Sequence, residues 1–158
     1  MPSTLPAYIG VDPGQSGGLI LLDDTMVKST PMPETERDIW DWFDHIRQTT
    51  DIAPRAMIEK VHSMPKQGVA SSFKFGRGYG GLRMALIAAG IPFEEVTPQA
   101  WQKALAIPKR SKTETPVQWK NRLKALAQQL YPDIKVTLKL ADALLIATYC
   151  QRKHTGTL

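Results

Sequence analysis

The sequence predicts an α/β fold in which a central mixed β-sheet is flanked by α-helices. Short apolar segments of strand length alternate with longer segments of helical periodicity, the order that builds such a sheet. The chain has 158 residues, of which 42% are hydrophobic and 22% charged, which suits one compact domain. We therefore expect a single domain over residues 1–158, with its core between about residues 7 and 152.

Five strands are predicted from short apolar or alternating segments that end at turn residues. They cover residues 7–12, 18–22, 26–30, 56–62 and 93–96. The first two form a hairpin because a glycine-rich turn, residues 14–17, joins them. In the fourth strand, Met57 and Glu59 lie on one face because side chains alternate along a strand.

Helices are predicted where apolar residues recur at intervals of three and four behind a capping residue. They cover residues 35–48, a segment that ends at Gly90, a segment that starts at Thr97 and Pro98, residues 115–130 and residues 140–152. The last helix is apolar on most sides and is expected in the core. A mobile glycine-rich loop over residues 63–81 and a basic loop over residues 107–113 are also predicted.

Cysteine content and hydrophobic run lengths exclude several classes of protein. The single cysteine excludes a disulfide framework and a zinc cage built from cysteines. No apolar run approaches the ~20 residues that span a bilayer, and the first residues show no secretory signal. We therefore expect a cytoplasmic protein with no membrane partner.

Basic residues are concentrated in two segments of a chain whose net charge is +5. Residues 60–83 contain five bases and no acid, and residues 103–124 contain seven bases and one acid. Such segments indicate a positively charged side that suits phosphates. A solvated face produces the same pattern, so charge alone leaves both interpretations open.

Three acidic residues occupy positions where a carboxylate is unusual. Asp12 ends an apolar strand, Glu59 lies in another, and Asp142 lies in the first turn of the apolar last helix. The ordinary explanations are a turn position for Asp12, an edge-strand position for Glu59 and stabilisation by the helix dipole for Asp142. The functional alternative is that two strands and a buried helix bring the carboxylates together around hard divalent cations such as Mg²⁺. Two such ions ~4 Å apart support phosphodiester hydrolysis.

Three sequence motifs contain these acids. They are Ile9-Gly10-Val11-Asp12-Pro13-Gly14, Met57-Ile58-Glu59-Lys60-Val61 and Ala141-Asp142-Ala143-Leu144. In order and spacing they resemble the RuvC family of Holliday junction resolvases, which belongs to the RNase H-like superfamily. Residues 71–76 and 96–98 resemble the phage-type branch of that family. The resemblance covers about residues 7–152 and implies an RNase H-like fold.

The resemblance also implies an activity and its residues. Asp12, Glu59 and Asp142 would be catalytic acids that bind Mg²⁺ or Mn²⁺ in an endonuclease that resolves four-way DNA junctions by paired hydrolysis. Family members usually carry a further acid or histidine at the position of Lys139. Lys139 is therefore a candidate catalytic residue that binds phosphate or compensates charge, with a solvated lysine as the equal alternative.

Branched DNA is the expected partner, and the symmetry of a four-way junction predicts a homodimer. The candidate DNA-binding residues are bases, aromatics and polar residues of the two basic segments. They are His62, Lys66, Gln67, Phe73, Lys74, Arg77, Arg83, Lys109, Arg110 and Lys112. For the tryptophans at 40, 101 and 119, packing in the core or an interface is favoured over base stacking.

Three alternative functions stay open at this point. The first is a nuclease of broader preference that cuts flaps or forks, and the second is a module that binds junctions without cutting. The third is an actin-like phosphotransferase, suggested by the turn at Asp12-Pro13-Gly14. The length of the chain argues against this last one, because such folds need two domains of this kind.

Overall fold

A five-stranded mixed sheet forms the centre of the computed structural model, which describes residues 4–61 and 66–158. The strands are β1 (Tyr8–Asp12), β2 (Gly18–Leu22), β3 (Val27–Pro31), β4 (Arg55–Glu59) and β5 (Phe93–Val96). Their order is β3-β2-β1-β4-β5, antiparallel from β3 to β1 and parallel from β1 to β5. The predicted mixed sheet is confirmed, although β4 ends at Glu59 rather than at residue 62.

Helices cover both faces of the sheet. They are α1 (Glu36–Thr49), α2 (Val69–Ala88), α3 (Pro98–Ala104), α4 (Pro116–Leu130) and α5 (Leu138–Thr155). The side chains of Thr35, Thr97 and Thr115 accept hydrogen bonds from backbone N–H groups in the first turns of α1, α3 and α4, as predicted. Within the described ranges, no helix is long and apolar enough to cross a membrane.

Two hydrophobic clusters lie on opposite faces of the sheet. Ile9 and Val11 of β1 point to the cluster that α1 and α2 cover. Tyr8 of the same strand points to the cluster that α3, α4 and α5 cover, as does Met57 of β4. Because side chains alternate, Asp12 and Glu59 fall on the face of α3, α4 and α5. That face holds the candidate site.

The predicted mobile loop over residues 63–81 is wrong for most of its length, because α2 begins at Val69. Glycines lower helix propensity, but propensity is a weak prior that tertiary contacts override. Here Arg77 forms an ion pair with Glu36 of α1 at 2.9 Å, and the Tyr79 hydroxyl donates to Glu95 of β5 at 2.8 Å. These contacts attach the glycine-rich half of α2 to the rest of the fold.

Gly10 allows α5 to contact β1 backbone to backbone. A Cβ atom at this position would lie 2.1 Å from the Ala143 carbonyl oxygen and 2.5 Å from the Ala147 amide nitrogen. No side chain fits in that space, so only glycine permits this approach. The contact involves Ala143, the residue after Asp142 on the helix, and lies two residues from Asp12 on the strand.

Candidate active site

Asp12 and Glu59 end two neighbouring parallel strands. In the register of β1 and β4, Val11 pairs with Ile58, and the next residue of each strand is one of the two acids. The carboxyl ends of parallel strands meet at the same edge of a sheet, so both carboxylates lie there. Ligands of open α/β sheets bind at such an edge.

Asp142 is brought to this edge by the first turns of α5. Its side chain is only 8% exposed, and its Oδ1 atom is buried without a hydrogen-bond partner among the described residues. A buried polar atom without a partner is costly and calls for an explanation, such as an ion that belongs there. The structure therefore brings together all three acids that the sequence singles out.

Burial and mutual repulsion raise the pKa values of two of these acids. The pKa of Asp12 is raised well above its ordinary value by burial first, and then by the charges of Asp142 and Glu59. Burial also raises the pKa of Glu59, with Asp142 adding to the effect and a hydrogen bond from Trp101 opposing it. Strongly perturbed carboxyl groups at a strand edge are typical of functional sites.

Lys120 of α4 supplies a positive charge to the three acids, and sequence reasoning missed it. Its Nζ atom lies 2.5 Å from Asp142 Oδ2. Burial lowers the pKa of Lys120, but the charge and hydrogen bond of Asp142 together with the charges of Asp12 and Glu59 outweigh it, and the pKa is raised. A signal was available, because Lys120 precedes the buried Leu123 and Ala127 by three and seven residues and so lies on the inward stripe of α4.

Trp101 of α3 is the second residue of the site that sequence reasoning did not identify. It is completely buried, as the packing interpretation predicts, and its indole Nε1–H donates a hydrogen bond to Glu59 Oε2 at 2.7 Å. Sequence offers little signal for this bond, since it joins residues 42 positions apart.

Lys139, the candidate predicted beside Asp142, lies exposed in the first turn of α5. In the described part of the chain it forms no ion pair with the three acids. Its role therefore stays a prediction, while the cation in contact with Asp142 is Lys120.

The residues of the site fit a divalent cation in chemistry and charge. Three carboxylates face one ammonium group, oxygen is the ligand that Mg²⁺ prefers, and Asp142 Oδ1 has no partner within the described residues. As the side chains stand, no three His, Cys, Asp or Glu residues in residues 4–61 and 66–158 are arranged to hold a metal ion. For all three carboxylates to hold one ion together, their side chains would have to rearrange.

The predicted DNA-binding residues occupy two regions. Phe73 and Lys74 are exposed on α2, and Phe73 is 72% exposed rather than in the core. On the same helix, Arg77 pairs with Glu36 at 2.9 Å and Arg83 pairs with Glu95 at 3.3 Å. Lys66 and Gln67 precede α2, and His62 lies outside the described residues.

The second region is the basic loop between α3 and α4, which exposes Lys109, Arg110 and Lys112. Arg122 of α4 holds this loop in one shape. Its guanidinium donates to the Glu114 carboxylate at 2.9 Å and to the Pro108 carbonyl at 2.9 Å. The predicted loop is thus confirmed, and the hydrogen bonds from Arg122 fix the backbone that carries its basic residues.

Comparison with solved structures identifies the fold. RuvC of Thermus thermophilus in complex with a Holliday junction substrate aligns with a TM-score of 0.62 and 18% identity, over 96% of this chain and 97% of that one. A second structure of Thermus thermophilus RuvC gives a TM-score of 0.59 at the same identity and coverage. The chain therefore has the RNase H-like fold of RuvC, and the predicted fold class is confirmed.

No protein-family model matches the chain, and no curated protein matches its sequence. The solved structures do not separate one branch of RuvC-like proteins from another, so the phage-type assignment stays a prediction.

Proposed function

We propose that this protein is a divalent-metal-dependent endonuclease that resolves four-way DNA junctions. One observation carries the proposal: the RuvC-like fold brings Asp12, Glu59 and Asp142 to one sheet edge, where Asp142 Oδ1 is buried without a partner in the described residues. The whole chain forms one nuclease domain in this proposal. It acts in the cytoplasm of a bacterium or a phage-infected cell.

In this proposal Asp12, Glu59 and Asp142 hold Mg²⁺ or Mn²⁺. When bound, a divalent ion supplies Lewis-acid assistance to phosphodiester hydrolysis. The chain's own residues hold the carboxylates in place, through the hydrogen bond from Trp101 to Glu59 and the ion pair of Lys120 with Asp142. Lys120 compensates their charge in the metal-free protein. Its side chain is 52% exposed, so it can leave Asp142 and pair with a phosphate of the junction.

The DNA would lie across the sheet edge, between α2 and the basic loop. Lys109, Arg110 and Lys112 would contact phosphates of one arm, and Lys139 would contact a phosphate near the acids. Phe73 is exposed and adjoins Lys74, a combination that suits stacking on an unpaired base near the branch point. Lys66, Gln67, Arg77, Arg83 and His62 complete the proposed contact surface.

A homodimer would place two such sites on one junction, and we propose that α2 forms its interface. One side of α2 is apolar or lacks side chains, and it is exposed. The residues of this stripe are Gly76, Gly80, Met84 and Ile87, and Phe73 lies beyond its N-terminal end. Glycines within a helix cost about 1 kcal/mol each relative to alanine. Gly76 and Gly80 meet no side chain within the described structure, and a second α2 crossing there would use the space.

Cleavage of defined DNA structures tests the proposed activity. Four-way junction, flap, fork and linear duplex substrates are incubated with the protein and either Mg²⁺ or Mn²⁺. Paired nicks in the four-way junction support the proposal. Preferential cutting of flaps or forks would favour the broader nuclease, and binding without cutting would favour the binding module.

Sedimentation of the wild type and of Met84→Arg tests the dimer interface. We expect the wild type to sediment as a dimer and the variant, with a charge in the apolar stripe, to sediment as a monomer. A dimer that Met84→Arg leaves intact would place the interface elsewhere.

A further inference from the structure

The hydrogen bond between Trp101 and Glu59 joins a fully buried aromatic residue to an acid of the candidate site. The indole nitrogen lies 2.7 Å from Glu59 Oε2, and Trp101 is 0% exposed. An indole has one donor and no acceptor, so its orientation determines which atom it can bind. Here the ring is fixed by the core, and its single N–H points at one oxygen of the carboxylate.

Local sequence explains why Trp101 lies under Glu59. The end of β4 is attached to the end of β5 by a hydrogen bond from the Lys60 N–H to the Val96 carbonyl at 2.7 Å. The next residue, Thr97, caps α3 by accepting a hydrogen bond from the Ala100 N–H at 3.2 Å. Trp101 follows one turn into that helix. The β5–α3 connection therefore returns the indole to the strand end that carries the acid.

Core packing by itself does not account for the bond. A phenylalanine or leucine would fill an apolar site without a donor, whereas a buried tryptophan requires an acceptor. The acceptor at this position is a carboxylate that also experiences the charge of Asp142. Hydrogen bonds to charged groups are the stronger class, so this one restricts the rotation of the Glu59 carboxyl group.

We propose that Trp101 is a positioning residue: by holding Glu59 Oε2, it presents the other oxygen, Oε1, to a divalent cation at the sheet edge. This inference rests on the proposed metal-dependent function. It adds a residue of α3 to the site and assigns separate tasks to the two oxygens of Glu59. Trp101 itself contacts neither the cation nor the DNA.

Mn²⁺ binding to the DNA-free protein tests the inference without relying on activity. Free Mn²⁺ is measured by electron paramagnetic resonance during titration of the wild type, Trp101→Phe and Trp42→Phe. Trp42 is a half-buried tryptophan of α1 on the opposite face of the sheet, so its variant is the matched control. We expect Trp101→Phe to bind Mn²⁺ roughly tenfold more weakly, the effect of losing one charge-assisted hydrogen bond, and Trp42→Phe to bind as the wild type does.

The same titration in a Glu59→Ala background isolates the route of the effect. If Trp101 acts through Glu59, adding Trp101→Phe to Glu59→Ala changes the affinity for Mn²⁺ no further. An equal loss in the two backgrounds, or an equal loss in Trp42→Phe, would mean general destabilisation and would overturn the inference.

A second measurement needs no change at Trp101. In protein labelled with ¹⁵N at the indole nitrogen, one of the four N–H signals should shift when Mg²⁺ is added, and Glu59→Ala should abolish that shift. If the wild type binds Mn²⁺ and Trp101→Phe binds it equally well, only the positioning role of Trp101 is contradicted. Wild-type protein that binds neither ion and cuts no junction would contradict the proposed function as well.

Discussion

The two ends of α5 each carry a lysine–carboxylate ion pair, and the two pairs differ in burial. Near the C-terminal end, Lys153 Nζ lies 2.8 Å from Glu94 Oε2, and the side chains are 41% and 50% exposed. Near the N-terminal end, Lys120 Nζ lies 2.5 Å from Asp142 Oδ2, and the Asp142 side chain is 8% exposed. The first pair has one acid for its lysine, whereas the second lysine serves three.

This difference explains why pKa values shift in opposite directions at the two ends. The hydrogen bond from Lys153 lowers the pKa of Glu94, and the charges of Lys153, His154 and Arg55 add to this effect against partial burial. Burial raises the pKa values of Asp12 and Glu59, and one ammonium group does not offset the charge of three carboxylates. An exposed ion pair of this kind contributes about 0–1 kcal/mol to stability. The buried cluster instead keeps an excess of negative charge that a cation would relieve.

The largest effect is expected when an acid is removed from the buried end. Asp12→Asn, Glu59→Gln or Asp142→Asn should each reduce junction cutting by roughly a thousandfold or more, since each removes a ligand and a charge from one cooperating unit. Glu94→Gln, the matched change at the other end, should leave cutting unchanged. Single-turnover cleavage measures both. Affinity for the junction should survive in all four proteins, and an Asp12→Asn protein that cuts at the wild-type rate would refute the site assignment.

The next effect concerns the two lysines. Lys120→Met should slow junction cutting roughly tenfold to a hundredfold, because the cation that pairs with phosphate is lost. It should also tighten Mn²⁺ binding, since a competing positive charge leaves the acids. Lys153→Met should change neither quantity. Metal titrations and cleavage rates of both variants measure these outcomes; weaker Mn²⁺ binding by Lys120→Met would show that Lys120 supports the metal site rather than competing for it.

Stability should respond in opposite directions at the two ends. The pKa of Asp12 is higher in the folded state than in the unfolded state. The contribution of Asp12 to the free energy of unfolding is therefore fully present below its pKa in the unfolded state, and it is lost as the pH rises through its pKa in the folded state. Asp12→Asn should therefore raise the free energy of unfolding of the metal-free protein at pH 7, by roughly 1–2 kcal/mol.

Glu94 is expected to affect the free energy of unfolding in the opposite direction. Its folded-state pKa is lowered, so its contribution is present above the unfolded pKa and is lost as pH falls through the folded value. Glu94→Gln should lower the free energy of unfolding at pH 7, by less than about 1 kcal/mol. Thermal unfolding in EDTA at pH 7 compares the two variants. A loss of stability in Asp12→Asn would mean that the buried acid is better compensated than its surroundings indicate.

The smallest effect is expected at Lys139, which precedes Asp142 by three residues, about one turn of α5, and is exposed. Lys139→Asp should slow cutting by roughly two- to fivefold through loss of one phosphate contact, and it should leave Mn²⁺ affinity of the DNA-free protein unchanged. Cleavage and metal titration test this together. Tighter Mn²⁺ binding would show instead that the side chain reaches the acids, and no change in either quantity would mean that Lys139 is only solvated.

Local sequence signals predicted most of the fold. The strands follow from short apolar segments, and the threonine caps at residues 35, 97 and 115 mark the starts of three helices. The same logic failed over residues 69–81 because glycine content is a local signal. The contacts that keep this segment helical, from Arg77 to Glu36 and from Tyr79 to Glu95, join distant parts of the chain.

The residues of the candidate site also divide into those that local sequence predicts and those that depend on distant contacts. The three acids were predicted because each contrasts with apolar neighbours, a property visible within a few residues. Lys120 and Trp101 were not: the position of Lys120 on the inward stripe of α4 is visible in the sequence, but the partner of neither residue is. Their partners, Asp142 and Glu59, lie 22 and 42 residues away. Sequence patterns indicate which residues are out of place, but the groups that compensate them come from the tertiary structure.

The backbone contact at Gly10 has a consequence for how the protein can vary. Because main-chain atoms of α5 rest directly on β1 at Gly10, no side chain lies between the two elements at this point, two residues from Asp12 and next to Asp142. Repacking of the surrounding core, through exchanges among leucine, isoleucine and valine, therefore leaves the separation of these carboxylates nearly unchanged. Substitutions can therefore accumulate around the centre of the chain, because the separation of the Asp12 and Asp142 carboxylates depends on a contact between backbone atoms.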